Sequence, residues 1–249
     1  MDLKKKKLPI IFVYIKMTNK NHDLSLVIPF YNEEDNVERV IQEIIREFYL
    51  NKIDYEIVAV NNGSTDDTEK ILNKLNKLNP RIKISVVVKN TGYGNGIITG
   101  INQAGGNFIG YHWGDGQVPP KYITEIFYKM KKGNYDLGKI TRIHREYSLT
   151  RKIVSKFFNI LFPLLFGVNS KDINGCPKIM KGELLKSLKL ESKDWFLDAE
   201  IMIKAKRKKY KMLELPAEYR KRTGGKSKVR LYTLLELLKN IIRFKMKGY

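Results

Sequence analysis

The sequence changes character at Phe108-Ile-Gly-Tyr-His-Trp-Gly-Asp-Gly-Gln-Val-Pro-Pro120, where an apolar run stops at an aspartate between two glycines. Such a run predicts a buried strand, and the two prolines open a predicted helix. Asp115 and Gln117 are thereby left at the carboxyl end of the strand. The glycines let a ligand approach the backbone there, and open α/β sheets bind their ligands at such ends. In a chain this basic, the expected partner of the carboxylate is a metal ion that carries a phosphate.

A short apolar run followed by an amphipathic helix recurs along the first half of the chain. Alternating strands and helices with short connections are typical of a parallel sheet with helices on both faces. We therefore predict an α/β fold with a mostly parallel central sheet flanked by helices. Right-handed crossovers bring the loops that follow the strands to one edge of this sheet. The predicted strands are residues 24–29, 55–60, 82–88 and 108–112, and the loops are residues 31–34, 61–67, 89–96 and 113–117.

The second half is less regular and contains two apolar segments. Residues 151–168 are predicted to be helical, and their apolar run at 157–166 is too short to span a membrane. The last predicted helix has leucines and isoleucines along one side and basic residues beside them. Each segment is interpreted either as a membrane-surface contact or as an ordinary core or dimer surface. The other predicted elements are a strand at 135–140, a helix at 198–208 and an edge strand at 211–215.

The composition is strongly basic, with 47 Lys and Arg against 26 Asp and Glu and a net charge of +21. Such an excess favours an anionic partner, which includes nucleic acid, a membrane face and phosphorylated substrates. A general habit of lysine scattered among asparagine and isoleucine explains the bulk of it equally well. Cys176 is the only cysteine, so an internal disulfide is excluded, and three dispersed histidines exclude a zinc site of the Cys/His kind.

The chain begins with a basic and then apolar stretch, residues 1–16, that is similar to a shortened signal sequence. Its apolar part is shorter than the ~20 residues of a membrane span, and no small-residue cleavage site follows it. We therefore expect residues 1–22 to form a peripheral or poorly ordered segment.

Four polar motifs follow one another along the chain. In this order they resemble the inverting family-two glycosyltransferases of GT-A fold, and most of all the dolichyl- or polyprenyl-phosphate sugar transferases. The resemblance implies a Rossmann-like, nucleotide-sugar-binding GT-A fold. It implies a catalytic domain at residues 23–222, followed at 223–249 by a basic loop and an amphipathic helix. The motifs are Val27-Ile-Pro-Phe-Tyr-Asn-Glu-Glu34, Asn61-Asn-Gly-Ser-Thr-Asp66, Gly114-Asp-Gly-Gln117 and Arg222-Thr-Gly-Gly-Lys-Ser-Lys228.

The resemblance places the base and ribose of a sugar nucleotide at the first two motifs. The family's Asp-Asp-Gly-Ser turn is Asn-Asn-Gly-Ser here, and an amide still donates and accepts hydrogen bonds but loses the charge-assisted one. The same turn is rich in helix-capping residues, which is the alternative reading of it. We favour nucleotide contact. The matching residues are Pro29, Tyr31, Glu33, Asn61 and Asn62, together with Gly92, which precedes a helix start expected to face an anion.

The family's Asp-x-Asp metal motif matches Trp113-Gly-Asp115, so one of its two carboxylates is kept. Gln117 matches a glutamine that the phosphate-sugar transferases use beside the metal. The resemblance implies that Asp115, Gln117, diphosphate oxygens and waters surround Mg²⁺ or Mn²⁺, held more weakly than by two acids. Trp113 would form a wall beside this site. His112 points to the other side of the strand and is expected in the core.

Further residues match the family's phosphate-binding and acidic positions. Arg142 and Arg151 match arginines that bind the donor diphosphate and the acceptor phosphate. Asp198 matches an acid that many members use as a general base on a sugar hydroxyl. A phosphate acceptor is already charged and needs no base, so Asp198 would then orient groups or hold a lysine. The implied catalytic residues are Asp115, Asp198 and Arg142, and the implied acceptor- and phosphate-binding residues are Arg142, Arg151, Arg222, Lys226, Ser227 and Lys228.

The function that the resemblance implies is transfer of a sugar from a UDP- or GDP-sugar to a polyprenyl (dolichyl) phosphate, with inversion at the anomeric carbon. Two alternatives stay open: transfer to a saccharide hydroxyl in glycan or capsule assembly, and a non-catalytic nucleotide-sugar-binding module. The expected location is peripheral, on anionic lipid at the cytoplasmic face of the membrane. A membrane-protein partner or a homo-oligomer is compatible with this location. Nucleic acid is not expected, because no recognisable nucleic-acid module is present.

Overall fold

The computed structural model describes residues 22–143, 161–220 and 233–248. Strands and helices alternate up to residue 143, as the apolar pattern predicts, and the order is less regular beyond it. The strands are β1 (Leu24–Phe30), β2 (Tyr55–Asn62), β3 (Ile82–Val87), β4 (Phe108–Tyr111), β5 (Leu137–Ile143), β6 (Lys178–Lys181) and β7 (Met212–Glu218). The helices are α1 (Glu34–Leu50), α2 (Thr68–Leu78), α3 (Tyr93–Gln103), α4 (Lys121–Gly133), α5 (described at 161–166), α6 (Gly182–Ser187), α7 (Leu197–Arg207) and α8 (Thr233–Met246).

The described strands form one seven-stranded sheet in the order β3-β2-β1-β4-β6-β5-β7. The first four neighbours are parallel, and β7 is parallel to β5, which confirms the predicted mostly parallel α/β sheet. The exception is β6, which runs antiparallel to both β4 and β5. This strand was not predicted, because its four residues, Lys-Ile-Met-Lys, begin and end with lysine. Lys178 is nevertheless fully buried in the sheet.

The sheet is covered on both faces, and β1 shows how. Leu24, Leu26 and Ile28 pack with the apolar side of α1, whereas Val27 packs with α3 on the opposite face. Successive side chains of a strand point to opposite faces, so a continuous apolar run is what a doubly covered strand requires. The two layers leave the carboxyl edge of the parallel strands open for the polar loops.

The last helix, α8, contributes to the core with one side only. Ile241 and Phe244 are buried, and the Phe244 ring centroid lies 4.9 Å from that of Phe196 at the start of α7. Leu238, Ile242 and Met246 are exposed. The predicted amphipathic helix is therefore part of the folded unit and also presents an apolar stripe at the surface. Across the described parts of the chain, no helix has the length and apolarity needed to cross a bilayer.

Candidate active site

The loops that follow β1 and β2 are joined by hydrogen bonds in both directions. The Asn32 amide donates to Ser64 Oγ (3.1 Å), and the Thr65 amide donates to Asn32 Oδ1 (2.8 Å). The Glu33 amide donates to Thr68 Oγ1 (3.0 Å) at the start of α2. Short polar side chains of this kind satisfy turn backbone groups that no strand or helix pairs. The two predicted nucleotide loops thus form one connected floor at the sheet edge.

Asn61 and Asn62 end β2 and are both buried, at 2% and 3% exposure. Asn61 uses both ends of its amide: Oδ1 accepts from the Ser64 amide (3.0 Å), and Nδ2 donates to Glu69 Oε2 (2.8 Å). An aspartate here would place two carboxylates against each other, which accounts physically for the amide. Asn62 Nδ2 donates to the Gly92 carbonyl (3.2 Å), while its Oδ1 is buried and has no hydrogen-bond partner. Contact of either residue with a nucleotide stays a prediction.

The other predicted nucleotide residues lie at the same edge. Pro29 and Tyr31 are half-buried, and the buried Glu33 accepts a hydrogen bond from Asn36 Nδ2 (2.7 Å). Their position is the one expected for contacts with a bound base or ribose. The contacts themselves stay predictions.

Gly92 precedes α3 with a φ of 131°, and a Cβ at this position would collide with the carbonyl of Lys193. The helix start therefore packs against the segment that precedes α7, and the Asn95 amide donates to the Lys193 carbonyl (2.9 Å). This close packing between two segments of the same chain explains why position 92 requires glycine. A backbone carbonyl thus occupies one amide of the helix start that we expected to face an anion, and contact of Gly92 with a nucleotide stays a prediction.

Trp113 stands where the family motif has its first acid, and it is held on several sides. Its indole N–H donates to Tyr93 Oη (2.9 Å). The Arg142 guanidinium lies over the indole at 4.9 Å, and Tyr219 meets it edge-on with ring centroids 6.3 Å apart. The Tyr93 ring in turn stacks on Trp195 at 4.5 Å. The indole is thus fixed in place and stacked under the Arg142 guanidinium, and its role as a wall beside a metal site stays a prediction.

Asp115 and Gln117, the predicted metal ligands, lie in the loop after β4. Asp115 Oδ1 accepts from the Gln117 amide (3.0 Å), and Gln117 Oε1 accepts from the Tyr219 hydroxyl (2.6 Å). The described residues contain no cluster of three or more His, Cys, Asp or Glu placed to hold a metal ion. If Asp115 supplies one carboxylate oxygen to a hard divalent cation, the phosphates of a ligand would supply further oxygens.

Arg142, at the end of β5, makes a bidentate ion pair with Asp172. Its Nε and Nη2 atoms donate to the two carboxylate oxygens at 2.8 and 2.9 Å, and both side chains are almost fully buried. Lys139 Nζ donates to the Asp172 carbonyl (2.8 Å), and burial lowers the pKa of Lys139 to about 8. The family resemblance predicted Arg142 but not its partner. The planar fork of arginine is fixed by this geometry beside Trp113.

Asp198 is 2% exposed and belongs to a buried network beneath the site. Its Oδ1 accepts from the Tyr111 hydroxyl (2.6 Å) and pairs with Lys178 Nζ. Burial and the neighbouring Asp198 charge raise the pKa of Tyr111 well above its ordinary value. The carboxylate therefore holds a lysine, which is the role expected when the acceptor is a phosphate. A direct part of Asp198 in the reaction stays a prediction.

The register of the sheet explains why these polar groups meet. Tyr111 of β4 is opposite Lys178 of β6, which is opposite Lys139 of β5, which is opposite Glu214 of β7. A row of four adjacent strands thus carries two buried lysines side by side. Asp198 pairs with one of them, and Glu214, 3.5 Å from Lys139 Nζ, pairs with the other. A buried charge requires such a partner.

His112 is buried at 1% exposure, as predicted, and burial lowers its pKa from 6.5 to about 4. The unfolded chain therefore binds a proton at higher pH than the folded one, so stability falls as pH drops from about 6.5 to 4. We expect His112 to account for about 3 kcal/mol of that loss. Urea unfolding at pH 7 and pH 4 should show a smaller drop for His112→Gln than for the natural chain. Equal drops would contradict a neutral, buried His112.

Several residues of the site were not predicted, and some predicted ones lie outside the described residues. Tyr219, Tyr93 and Asp172 were not among the predicted site residues. Arg39 was not predicted either, and its guanidinium packs against Gly116. Five predicted site residues fall outside the described ranges: Arg151, Arg222, Lys226, Ser227 and Lys228. Residues 1–21 of the expected N-terminal segment fall outside them too.

Comparisons with known proteins converge on sugar transferases. The chain is 40% identical over 124 residues to an uncharacterized glycosyltransferase of Synechocystis sp., covering 50% of this chain but only 39% of that protein. It is 28% identical over 228 residues to the undecaprenyl-phosphate 4-deoxy-4-formamido-L-arabinose transferase of Yersinia enterocolitica, covering 90% of this chain and 68% of that protein. The chain therefore spans only part of the relatives it matches.

A solved structure with a similar fold is glucosyl-3-phosphoglycerate synthase of Mycobacterium tuberculosis in complex with Mn²⁺ and UDP-glucose. The TM-score is 0.67 at 18% identity, and the match covers 89% of this chain and 77% of that chain. At this level of identity the likeness concerns the fold alone. It agrees with the sheet and helix arrangement described above.

The model of the family described as Glycosyl transferase family 2 matches residues 25–188, which is more than half of the 249 residues. This range runs from β1 through α6 and includes the loops after β1, β2 and β4. It also includes Arg142, Asp172 and Lys178. Both the family and the fold class predicted from the sequence are confirmed. The chain belongs to glycosyl transferase family 2.

Proposed function

We propose that the protein transfers a sugar from a UDP- or GDP-sugar to a polyprenyl phosphate, with inversion at the anomeric carbon. The observation that carries this proposal is the burial of Asp198 against Lys178 and Tyr111. A hydroxyl acceptor needs a base at this position, whereas a phosphate acceptor is already a charged nucleophile. The relatives that are named as undecaprenyl-phosphate sugar transferases support the same acceptor class.

In this mechanism an acceptor phosphate oxygen attacks the anomeric carbon from the face opposite the nucleotide. The new C–O bond forms as the bond to the donor diphosphate breaks, and the diphosphate leaves with the electron pair. Arg142, fixed by Asp172 and stacked on Trp113, is placed to stabilise the negative charge that develops. Asp115 would hold Mg²⁺ or Mn²⁺ shared with the diphosphate, and this ion would supply Lewis-acid charge to the leaving group.

The test is a transfer assay with UDP- and GDP-sugars, a short polyprenyl phosphate and a saccharide acceptor, each with and without Mn²⁺. We expect product only with the polyprenyl phosphate, and NMR of the product should show the inverted anomer. Transfer to the saccharide alone would replace the proposal with the hydroxyl-acceptor alternative. Thermal stabilisation by nucleotide without transfer to either acceptor would favour a non-catalytic binding module.

We also propose that α8 holds the protein peripherally on anionic lipid at the cytoplasmic face of the membrane. Leu238, Ile242 and Met246 are spaced by four residues and lie along one side, with exposures of 43%, 60% and 83%. Basic residues, among them Arg243 and Lys245 in the last turn, lie on the same helix. Apolar insertion combined with attraction to anionic headgroups is how interfacial helices bind.

Vesicle sedimentation tests this location. Serine at Leu238, Ile242 and Met246 together should weaken binding to anionic vesicles by roughly 100-fold, at about 1 kcal/mol per partly inserted side chain. A matched control is Val86→Ser with Val88→Ser, because these side chains are also exposed but lie at the edge strand β3. Equal binding by both variants and the natural chain would remove α8 from the membrane contact.

A further inference from the structure

Gln117 uses both ends of its side-chain amide to hold the end of β7. Oε1 accepts from the Tyr219 hydroxyl (2.6 Å), and Nε2 donates to the Arg220 carbonyl (3.2 Å). The backbones of Gln117 and Arg220 add a third bond, in which the Arg220 amide donates to the Gln117 carbonyl (2.8 Å). We call these three hydrogen bonds the Gln117 clamp.

The clamp joins parts of the sheet that no strand pairing connects. In the sheet order, β6 and β5 lie between β4, which leads into the Asp115 loop, and β7, which ends at Glu218. Residues 219 and 220 lead directly into the basic segment that begins at residue 221. The loop that carries Asp115 is thereby tied to residues 219 and 220, across the width of two strands.

Tyr219 links the clamp to the other side of the site. Its ring meets Trp113 edge-on and lies 5.7 Å from the Arg142 guanidinium, while its hydroxyl is bound to Gln117. A shift of Tyr219 would therefore disturb both the loop of Asp115 and the surroundings of Arg142.

The side chain at position 117 has to accept one hydrogen bond and donate another at the same time, and an amide does both. A glutamate would accept from Tyr219 but could not donate to the Arg220 carbonyl, and it would turn a charged oxygen toward that carbonyl. If residue 117 were a metal ligand, glutamate would be better than glutamine, because carboxylate oxygens bind hard divalent cations more strongly than amide oxygens do. The two roles of Gln117 thus predict opposite effects of one substitution.

We propose that Gln117 is a positioning residue rather than a metal ligand: it fixes the Asp115 loop to Tyr219 and Arg220 at the end of β7 and so holds Asp115 in place at the diphosphate site. This inference rests on the proposed sugar transfer for its kinetic consequence. Its structural part, the coupling of position 117 to residues 219 and 220, is independent of that activity.

The experiment compares Gln117→Glu with the natural chain in two measurements. The first is the affinity for Mn²⁺ in the presence of UDP, measured by electron paramagnetic resonance, and the second is the kinetics of sugar transfer. We expect no gain in Mn²⁺ affinity and a fall in kcat/KM of about tenfold, the equivalent of one net hydrogen bond. Tighter Mn²⁺ binding with transfer retained would overturn the proposal and make Gln117 a ligand. Gln103→Glu is the matched control, because Gln103 bonds Ser85 at the far end of α3.

A second variant, Tyr219→Phe, removes only the hydroxyl that Gln117 accepts from. Although it leaves the sequence of the Asp115 loop unchanged, it should reproduce the kinetic loss of Gln117→Glu. Tyr128→Phe on the surface of α4 should cause no such loss. Hydrogen exchange of the Arg220 amide should quicken in both clamp variants, even if the natural chain transfers no sugar. Unchanged exchange at Arg220 would refute the clamp, and absent transfer in the natural chain would refute only the proposed function.

Discussion

Replacing Asp115 with alanine is expected to abolish the metal-dependent part of donor binding and to lower sugar transfer by about a thousandfold or more. Asp115 is the only carboxylate of the family's Asp-x-Asp motif that this chain keeps, because Trp113 occupies the first position. With one acid gone already, no second carboxylate of that motif is left to hold the ion. The loss should therefore be larger than in a site that shares the ion between two acids.

The measurement is the thermal shift produced by UDP- and GDP-sugars with and without Mn²⁺, followed by the transfer assay. The natural chain should show an additional shift with Mn²⁺, and Asp115→Ala should lack it while keeping its stability without ligand. A suitable control is Glu125→Ala, since Glu125 is an exposed acid on α4, outside the predicted nucleotide loops. A Mn²⁺-dependent shift that survives in Asp115→Ala would rule out this residue as the metal carboxylate.

The parts of the site that depend on local sequence were predictable. Apolar runs that end in glycine and short polar residues predicted the strand ends around Asn61 and Asp115, and parallel strands place such ends together. The substitution of Asn61 for an acid also has a local explanation, because its amide donates to Glu69 only eight positions away. The position of these loops could therefore be predicted from secondary structure and from hydrogen bonds between residues close in sequence.

The parts that were not predictable depend on pairings between distant residues. Tyr219 meets Gln117 across 102 positions, and Tyr111 meets Asp198 across 87. The first contact depends on where β7 ends, and the second depends on how α7 packs beneath β4. The neighbouring strand β6 gives no apolar signal because it begins with a lysine. A buried lysine is recognisable only once its counter-charge is known. The sequence thus indicated candidate site residues but not which of them hold one another.

Replacing Asp198 with alanine is expected to destabilise the protein by about 3–5 kcal/mol, because the Lys178 ammonium would stay buried without its counter-ion. Both partners are almost fully buried, and the Tyr111 hydroxyl would lose its acceptor as well. Urea unfolding at pH 7 measures the loss. Lys178→Met combined with Asp198→Asn should recover much of it, since neither side chain of this pair is then left as an unpaired buried charge.

The double variant also decides between the two acceptor classes, because it separates folding from chemistry. If the acceptor is a phosphate, Asp198 only holds Lys178, and the refolded double variant should transfer sugar within about tenfold of the natural chain, well short of the 10²–10⁴-fold cost of losing a general base. A saccharide hydroxyl would need that base, so transfer to it would collapse even with stability restored. Loss of transfer to polyprenyl phosphate in a stable double variant would therefore contradict the proposed mechanism, and it would return Asp198 to a direct part in the reaction.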